Sequence, residues 1–299
     1  MSKFKRINKL REYVLSADVA ASLEEQLRYN PTNIPESRAF YTVFLSICNK
    51  KERAKVFSGS SKSLASAWAN AERKLDEFAV KRTKLKKPIG AAWAKADIVT
   101  SYKAINTVEL NDVVIRERYN NFCRVGVALG EGLEGFKGTS KTAFLEEELN
   151  ANKMIVYYTE KEHSKKAYER DANLLFLDNI NNYRKKNYAL APLDEIPEKA
   201  CIFTTRGFLV DEDDSLHELY GAKNVDAEKP WDTGRRILPE VTGEALKPVI
   251  VGASQYLANL IDEQGKFVYG YYPVFNKEID NYNIVRHAEL SGVLSTSIA

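Results

Sequence analysis

The chain has 299 residues, 44% hydrophobic and 28% charged, a balance that supports a sizeable folded core and excludes global disorder. Its 44 Lys and Arg against 41 Asp and Glu leave a formal charge of +3, too little to make nucleic acid the default partner. No apolar run reaches the roughly 18 residues that a membrane span requires. The basic start, MSKFKRINKLREYVL, also lacks the apolar stretch of a secretory signal. Cys48, Cys123 and Cys201 are dispersed, have apolar or aromatic neighbours and form no CxxC. That pattern points to buried free thiols in a reducing compartment, and so to a cytoplasmic address. The densest basic groups are Lys3, Lys5, Arg6, Lys9 and Arg11, and then Lys81, Arg82, Lys84, Lys86 and Lys87.

Residues 9–28 carry Leu10, Val14, Leu15, Val19, Leu23 and Leu27 at helical spacing, which predicts one helix, or two broken near Ser16. YNPTNIPES at 29–37, with two Pro and two Asn, is a loop. AFYTVFLSIC at 39–48 and RAKVFSG, separated by the polar NKKE, form a predicted hairpin. The segment 63–80 sets Leu64, Ala67, Trp68, Ala71, Leu75 and Phe78 on one helical face, with Ser61 or Ser63 as its cap. Residues 96–105 and 122–129 are further predicted strands, and TAFLEEELNANKMI at 142–155 reads as a helix. KACIFTTRGFLV at 199–210 suggests a strand pair closed by the acidic turn DEDD. Residues 244–261 are helical in spacing, with Pro248 expected in the first turn. An aromatic extended segment, FVYGYYP, and a second helix, YNIVRHAELSGVLSTSI, complete the chain.

Strand, strand, helix and strand in that order predict an α+β fold with a mixed, mainly antiparallel sheet. The expected organisation is a helical arm and linker at 1–38, an α+β domain at 39–235 and a C-terminal helical hairpin at 236–299.

Several motifs invite chemistry. GEGLEG matches a GxGxxG at Gly130, Gly132 and Gly135. GFKGTSKT falls one residue short of a Walker A loop, with Lys141 and Thr142 in place but Ser140 where the second glycine belongs. NLLFLD, ending at Asp178, resembles a Walker B strand. Backbone amides and a helix N-terminus would cradle phosphate there. A surface loop with Thr139 or Ser140 capping the next helix explains the same residues. Glu160 and His163 have ExxH spacing, but neither His217 nor His287 repeats it, so a di-iron site is not expected. DEDD at 211–214 lacks the glycine and ligand spacing of an EF-hand. Ser254 sits in GASQY within a helical pattern, not at a nucleophile elbow. This reading assigns no cofactor and no metal ion.

The C-terminal segment DNYNIVRHAELSG gathers Asn281, Tyr282, Asn283, Arg286 and His287 beside Tyr269 and Tyr271. On a helix Asn283 and His287 share a face, as do Tyr282 and Arg286. Aromatic rings with amide, guanidinium and imidazole groups are the mixture that binds sugars and sugar acids. The succession of helix, GKFVYGY, DNYNIVRHA and helix resembles one repeat of the (α/α) toroid enzymes, the six-hairpin glycosidase-like group. The resemblance covers 240–299. It implies that Tyr282, Arg286 and His287 are catalytic-cleft residues, with His287 as acid or base and Arg286 holding a carboxylate. It likewise implies that Tyr269, Tyr271, Asn281 and Asn283 contact substrate. Two helices do not make a toroid. Either further hairpins follow Ala299, or the helix pair docks on the α+β domain.

The first expectation is therefore a carbohydrate-active protein of bacterial-type glycan or uronic-acid polymer processing. One alternative is a non-catalytic scaffold or interaction module whose exposed helical hairpin meets a partner chain or a second copy. Another is a nucleotide-dependent transferase using Lys141 in the 135–142 loop.

Overall fold

The computed structural model describes residues 4–29, 41–49, 54–85, 90–110, 126–129, 143–144, 155–157, 172–175, 181, 185, 191–195, 197–221, 234, 236–238, 240–268, 271–272 and 277–278. The chain is α+β and divides into two units, Met1–Tyr158 with Asp171–Ile237, and Thr159–Arg170 with Leu238–Ala299.

In the first unit, α1 (Lys5–Val14) and α2 (Ala17–Tyr29) are separated at Leu15 and Ser16, where the Ser16 hydroxyl donates to Tyr13 O at 2.7 Å. Ser16 O then accepts from Ala20 N–H at 2.9 Å and opens the second helix. The predicted break near Ser16 is therefore a serine-closed turn. Strands β1 (Tyr41–Cys48) and β2 (Lys55–Ser61) pair antiparallel from Tyr41↔Ser61 to Ile47↔Lys55, the expected hairpin. Helix α3 (Leu64–Lys84) starts at Ser63, whose Oγ accepts from Ser66 N–H at 3.2 Å. Strand β3 (Trp93–Asn106) follows β1 in the sheet.

The remaining strands are β4 (Gly126–Leu129), β5 (Ala143–Phe144), β6 (Ile155–Tyr157), β7 (Ala172–Leu175), β8 (Lys199–Val210) and β9 (Leu216–Glu218). The main sheet runs β2-β1-β3-β8-β4-β5, with β9 also on β8, and β6 pairs with β7. Two expectations change. KACIFTTRGFLV is one continuous twelve-residue strand, because β3 offers it an unbroken partner apart from one bulge near Val99. The expected helix at 142–155 does not begin there: Ala143 and Phe144 are extended, paired with Ala128 and Val127, and Ile155 opens β6. Ladder pairing outweighs the local helix preference of TAFLEEEL.

Paired residues share a sheet face and alternate along each strand. Val43, Leu45, Ile47, Ala94, Ala96, Ile98, Phe208 and Val210 occupy one face. They pack with Ile7, Leu10 and Val14 of α1 and Leu64, Trp68 and Leu75 of α3 in one buried cluster. Trp68 Nε1 donates to Glu72 Oε2 at 3.2 Å, so its polar atom is satisfied inside that core. The opposite face holds a second cluster in which Phe44 stacks on Phe203, with centroids 5.6 Å apart. Cys201 lies in it, buried and a free thiol, as its apolar neighbours indicate.

At Gly59 the backbone of α3 leaves no room for a side chain. A Cβ there would lie 2.2 Å from Ala67 O and 2.3 Å from Ala71 N, both backbone atoms of α3. Gly59→Val is therefore expected to destabilise by about 3 kcal/mol or more through overpacking, measured by urea unfolding. Gly252→Ala, in a helix with open space around the glycine, is expected to be neutral or to stabilise by about 1 kcal/mol. Equal effects at both positions would contradict this packing.

Candidate functional site

Tyr269, Asn281, Tyr282, Asn283, Arg286 and His287 lie outside the described residues. Tyr271 is in β10 (Tyr271–Tyr272), opposite Glu278 of β11 (Lys277–Glu278). Ahead of this hairpin stands α4 (Gly243–Ala258), capped by Thr242 Oγ1, which accepts from Ala245 N–H at 3.2 Å. Pro248 is in its second turn rather than its first, where its ring removes the hydrogen bond to Glu244 O. None of α4 is buried. Val249, Ile250, Val251 and Tyr256 are 50, 54, 59 and 63% exposed. After the helix, Asp262 Oδ1 accepts from Gln264 and Lys266 N–H at 3.0 and 2.8 Å. The chain turns back so that Ile261 bridges to the buried Phe267.

The other sequence motifs meet different fates. Gly130, Gly132, Gly135, Lys141, Thr142, Glu160, His163 and Asp178 lie outside the described residues. A phosphate loop needs a helix to begin directly after Lys141 and Thr142, whereas Ala143 and Phe144 are strand. Ser254 is in the body of α4.

A polar cluster among the described residues brings together groups that the sequence shows only separately. It forms where β8 ends at the acidic turn. Asp211 Oδ1 accepts from Asp213 N–H at 3.1 Å and Ser215 N–H at 3.0 Å. Its Oδ2 lies 2.7 Å from His217 Nε2 and 3.4 Å from Arg236 Nη2. Asp214, in the left-handed region at φ 60°, takes Lys5 Nζ at 2.9 Å and Arg6 Nε at 3.0 Å. Arg6 also donates to the carbonyls of Asp211 and Glu212 at 2.8 Å each, and to Ala91 O. Lys9 Nζ donates to Asp214 O. The basic N-terminal group and DEDD are thus halves of one clasp between α1 and the β8–β9 turn. Their complementary charges are visible in sequence, but their proximity is not.

His217 and Asp211 thus form a hydrogen-bonded Asp–His pair, with the Arg236 guanidinium alongside. Burial pushes the Asp211 carboxyl up. The hydrogen bonds from His217, Ser215 and Asp213, together with the His217 charge, outweigh it and hold the group below its ordinary value. At Asp214 the Lys5 hydrogen bond and the charges of Arg6, Lys5 and Lys9 likewise outweigh burial and lower the carboxyl.

A second polar feature lies on the sheet face opposite α1 and α3. Lys95 Nζ is 2.9 Å from Asp97 Oδ1, and Asp97 is 1% exposed. Thr205 Oγ1 is 3.4 Å from the same oxygen. A Cβ on Gly207, the ladder partner of Asp97, would lie 3.0 Å from that oxygen, so the glycine leaves room for the pair. Thr42, Ser46 and Ser58 are also buried.

Among the described residues no group of three or more His, Cys, Asp or Glu is placed to hold a metal ion. No described helix is long and apolar enough to cross a membrane. No family model, curated protein or solved structure matches this chain.

Asp211 and Asp214 titrate lower folded than unfolded, so the stability they add is complete above their ordinary value of 3.8. It is lost as pH falls through the depressed folded values. Asp211→Asn with Asp214→Asn is expected to lower stability at neutral pH and to flatten the acid limb. Urea midpoints across a pH series check this, and an acid limb identical to the wild type would contradict it.

Proposed function

We propose that the C-terminal unit is an interaction module that presents α4 to the surface of a partner protein. The observation that carries this reading is a capped sixteen-residue helix with no buried residue and a run of exposed apolar side chains. A helix in water draws most of its stability from burying an apolar face. An exposed apolar stretch of this kind marks a binding surface. Val249, Gly252, Ala253 and Tyr256 fall on one side of the helix at i, i+3, i+4 and i+7, which is how a helix presents anchors to another protein. The expected behaviour is binding of an apolar dye or concentration-dependent association, either of which Val249→Asp with Tyr256→Asp reduces. Dye fluorescence and light scattering measure the two. A monodisperse wild-type chain that does not bind the dye would sink the proposal.

A second reading is a carbohydrate-active protein acting on glycans or uronic-acid polymers. The order α4, Gly265 turn and the β10–β11 hairpin with Tyr271 and Tyr272 supports it. These are the elements that precede the inner helix in the resemblance to (α/α) toroid enzymes. His287 would then serve as general acid or base, Arg286 and Tyr282 would orient the substrate, and Tyr269, Tyr271, Asn281 and Asn283 would contact it. Calorimetric titration with uronic-acid oligosaccharides is expected to give binding that His287→Ala and Arg286→Ala abolish. Binding unchanged in both variants would overturn the site assignment.

A further inference from the structure

The first unit carries a shallow groove of about 750 Å³ along α3, with Arg11 of α1 also in its lining. Its α3 lining has a regular geometry. One wall runs Ala69, Arg73, Glu77 and Lys81, and the other runs Glu72, Asp76, Val80 and Lys84. These are two adjacent rows at i, i+4, i+8 and i+12. The trough between two such rows is what a ridge of a second helix fills when helices pack.

The charges along it are graded. Near Arg11 they are matched, with Arg11 Nη1 3.5 Å from Glu72 Oε1 and Arg73 Nη1 2.7 Å from Glu77 Oε1. At the far end Lys81 and Lys84 are exposed, and no acidic group pairs with either among the described residues. The exposed Leu85 follows them. Glu72, Asp76 and Glu77 would repel a continuous phosphate backbone, so the groove suits a side chain–bearing helix rather than nucleic acid.

We propose that this groove docks an amphipathic helix of a partner protein. Its apolar ridge lies between the two α3 rows, and its carboxylates meet Lys81 and Lys84. The proposal does not depend on the reading given to α4.

The test uses the full-length chain and two synthetic helical peptides with the same leucine stripe. One carries Glu in its last turn and the other carries Lys at the same positions. Fluorescence anisotropy is expected to show that the Glu peptide binds about threefold to tenfold more tightly than the Lys peptide. Lys81→Glu with Lys84→Glu is expected to reverse that preference. Val80→Arg, which fills the trough, is expected to abolish binding of the Glu peptide. Circular dichroism establishes that the variants remain folded. Equal binding of the two peptides, binding of neither, or an unchanged preference in the charge-reversed variant would overturn the proposal.

Discussion

The ladder between β3 and β8 is the constraint on which the first unit rests. It joins Ala94–Asn106 to Lys199–Val210 through twelve residue pairs. Every described residue from 107 to 198 therefore belongs to an excursion that leaves and returns at the same end of this ladder. Thr107 marks the closure, with its N–H and Oγ1 donating to Glu198 O at 2.8 and 3.0 Å. Loop-closure entropy grows only slowly with length, so a long excursion is tolerated once the ladder secures its ends. The edge of β8 away from β3 is shared, its first half taken by β4 and its last by β9. The acidic turn and its clasp to α1 follow from where β8 ends.

The two faces of this sheet obey different rules. The face under α1 and α3 is apolar, with Phe208 in one buried cluster with Leu10 and Trp68, so its energetics are those of a hydrophobic core. Replacing Trp68 by Ala there would cost about 3–5 kcal/mol. The other face mixes the stacked Phe44 and Phe203 with a Lys95–Asp97 pair, Thr205 and Ser46, all buried or nearly so. A buried pair adds little net stability, but removing one member strands a charge. Lys95 and Asp97 both belong to β3, so the side-chain tie from this pair to β8 is the Thr205 hydroxyl on Asp97. Gly207 supplies the space the pair needs.

What the sequence revealed follows from how local each signal is. Helices α1, α2 and α3, the β1–β2 hairpin and the Ser63 cap depend on neighbours within a few residues. Their periodicity predicts them. The single strand β8 and the extended Ala143–Phe144 depend on partners far along the chain. Periodicity cannot see those partners, so TAFLEEEL keeps its helical pattern while pairing as strand at its start. The same limit hid the clasp. Lys5, Arg6 and Lys9 were recognisable as a basic group and DEDD as an acidic turn, yet some two hundred residues of chain separate them. The His287 and Arg286 assignment stands on composition, spacing and the toroid resemblance, since those residues lie outside the described part of the fold. The exposed face of α4 was legible as an apolar helix, whereas its lack of burial was not.

The central claim is a contrast between a sheet held by its own chain and a helix whose apolar side chains are exposed. Residue-resolved amide hydrogen exchange tests it most directly. Amides of Ile98–Ile105 and Cys201–Phe208 are predicted to exchange only through global unfolding, while those of Val249–Tyr256 exchange much faster by local opening. Protection of α4 equal to that of β3 and β8 in the isolated chain would contradict the account.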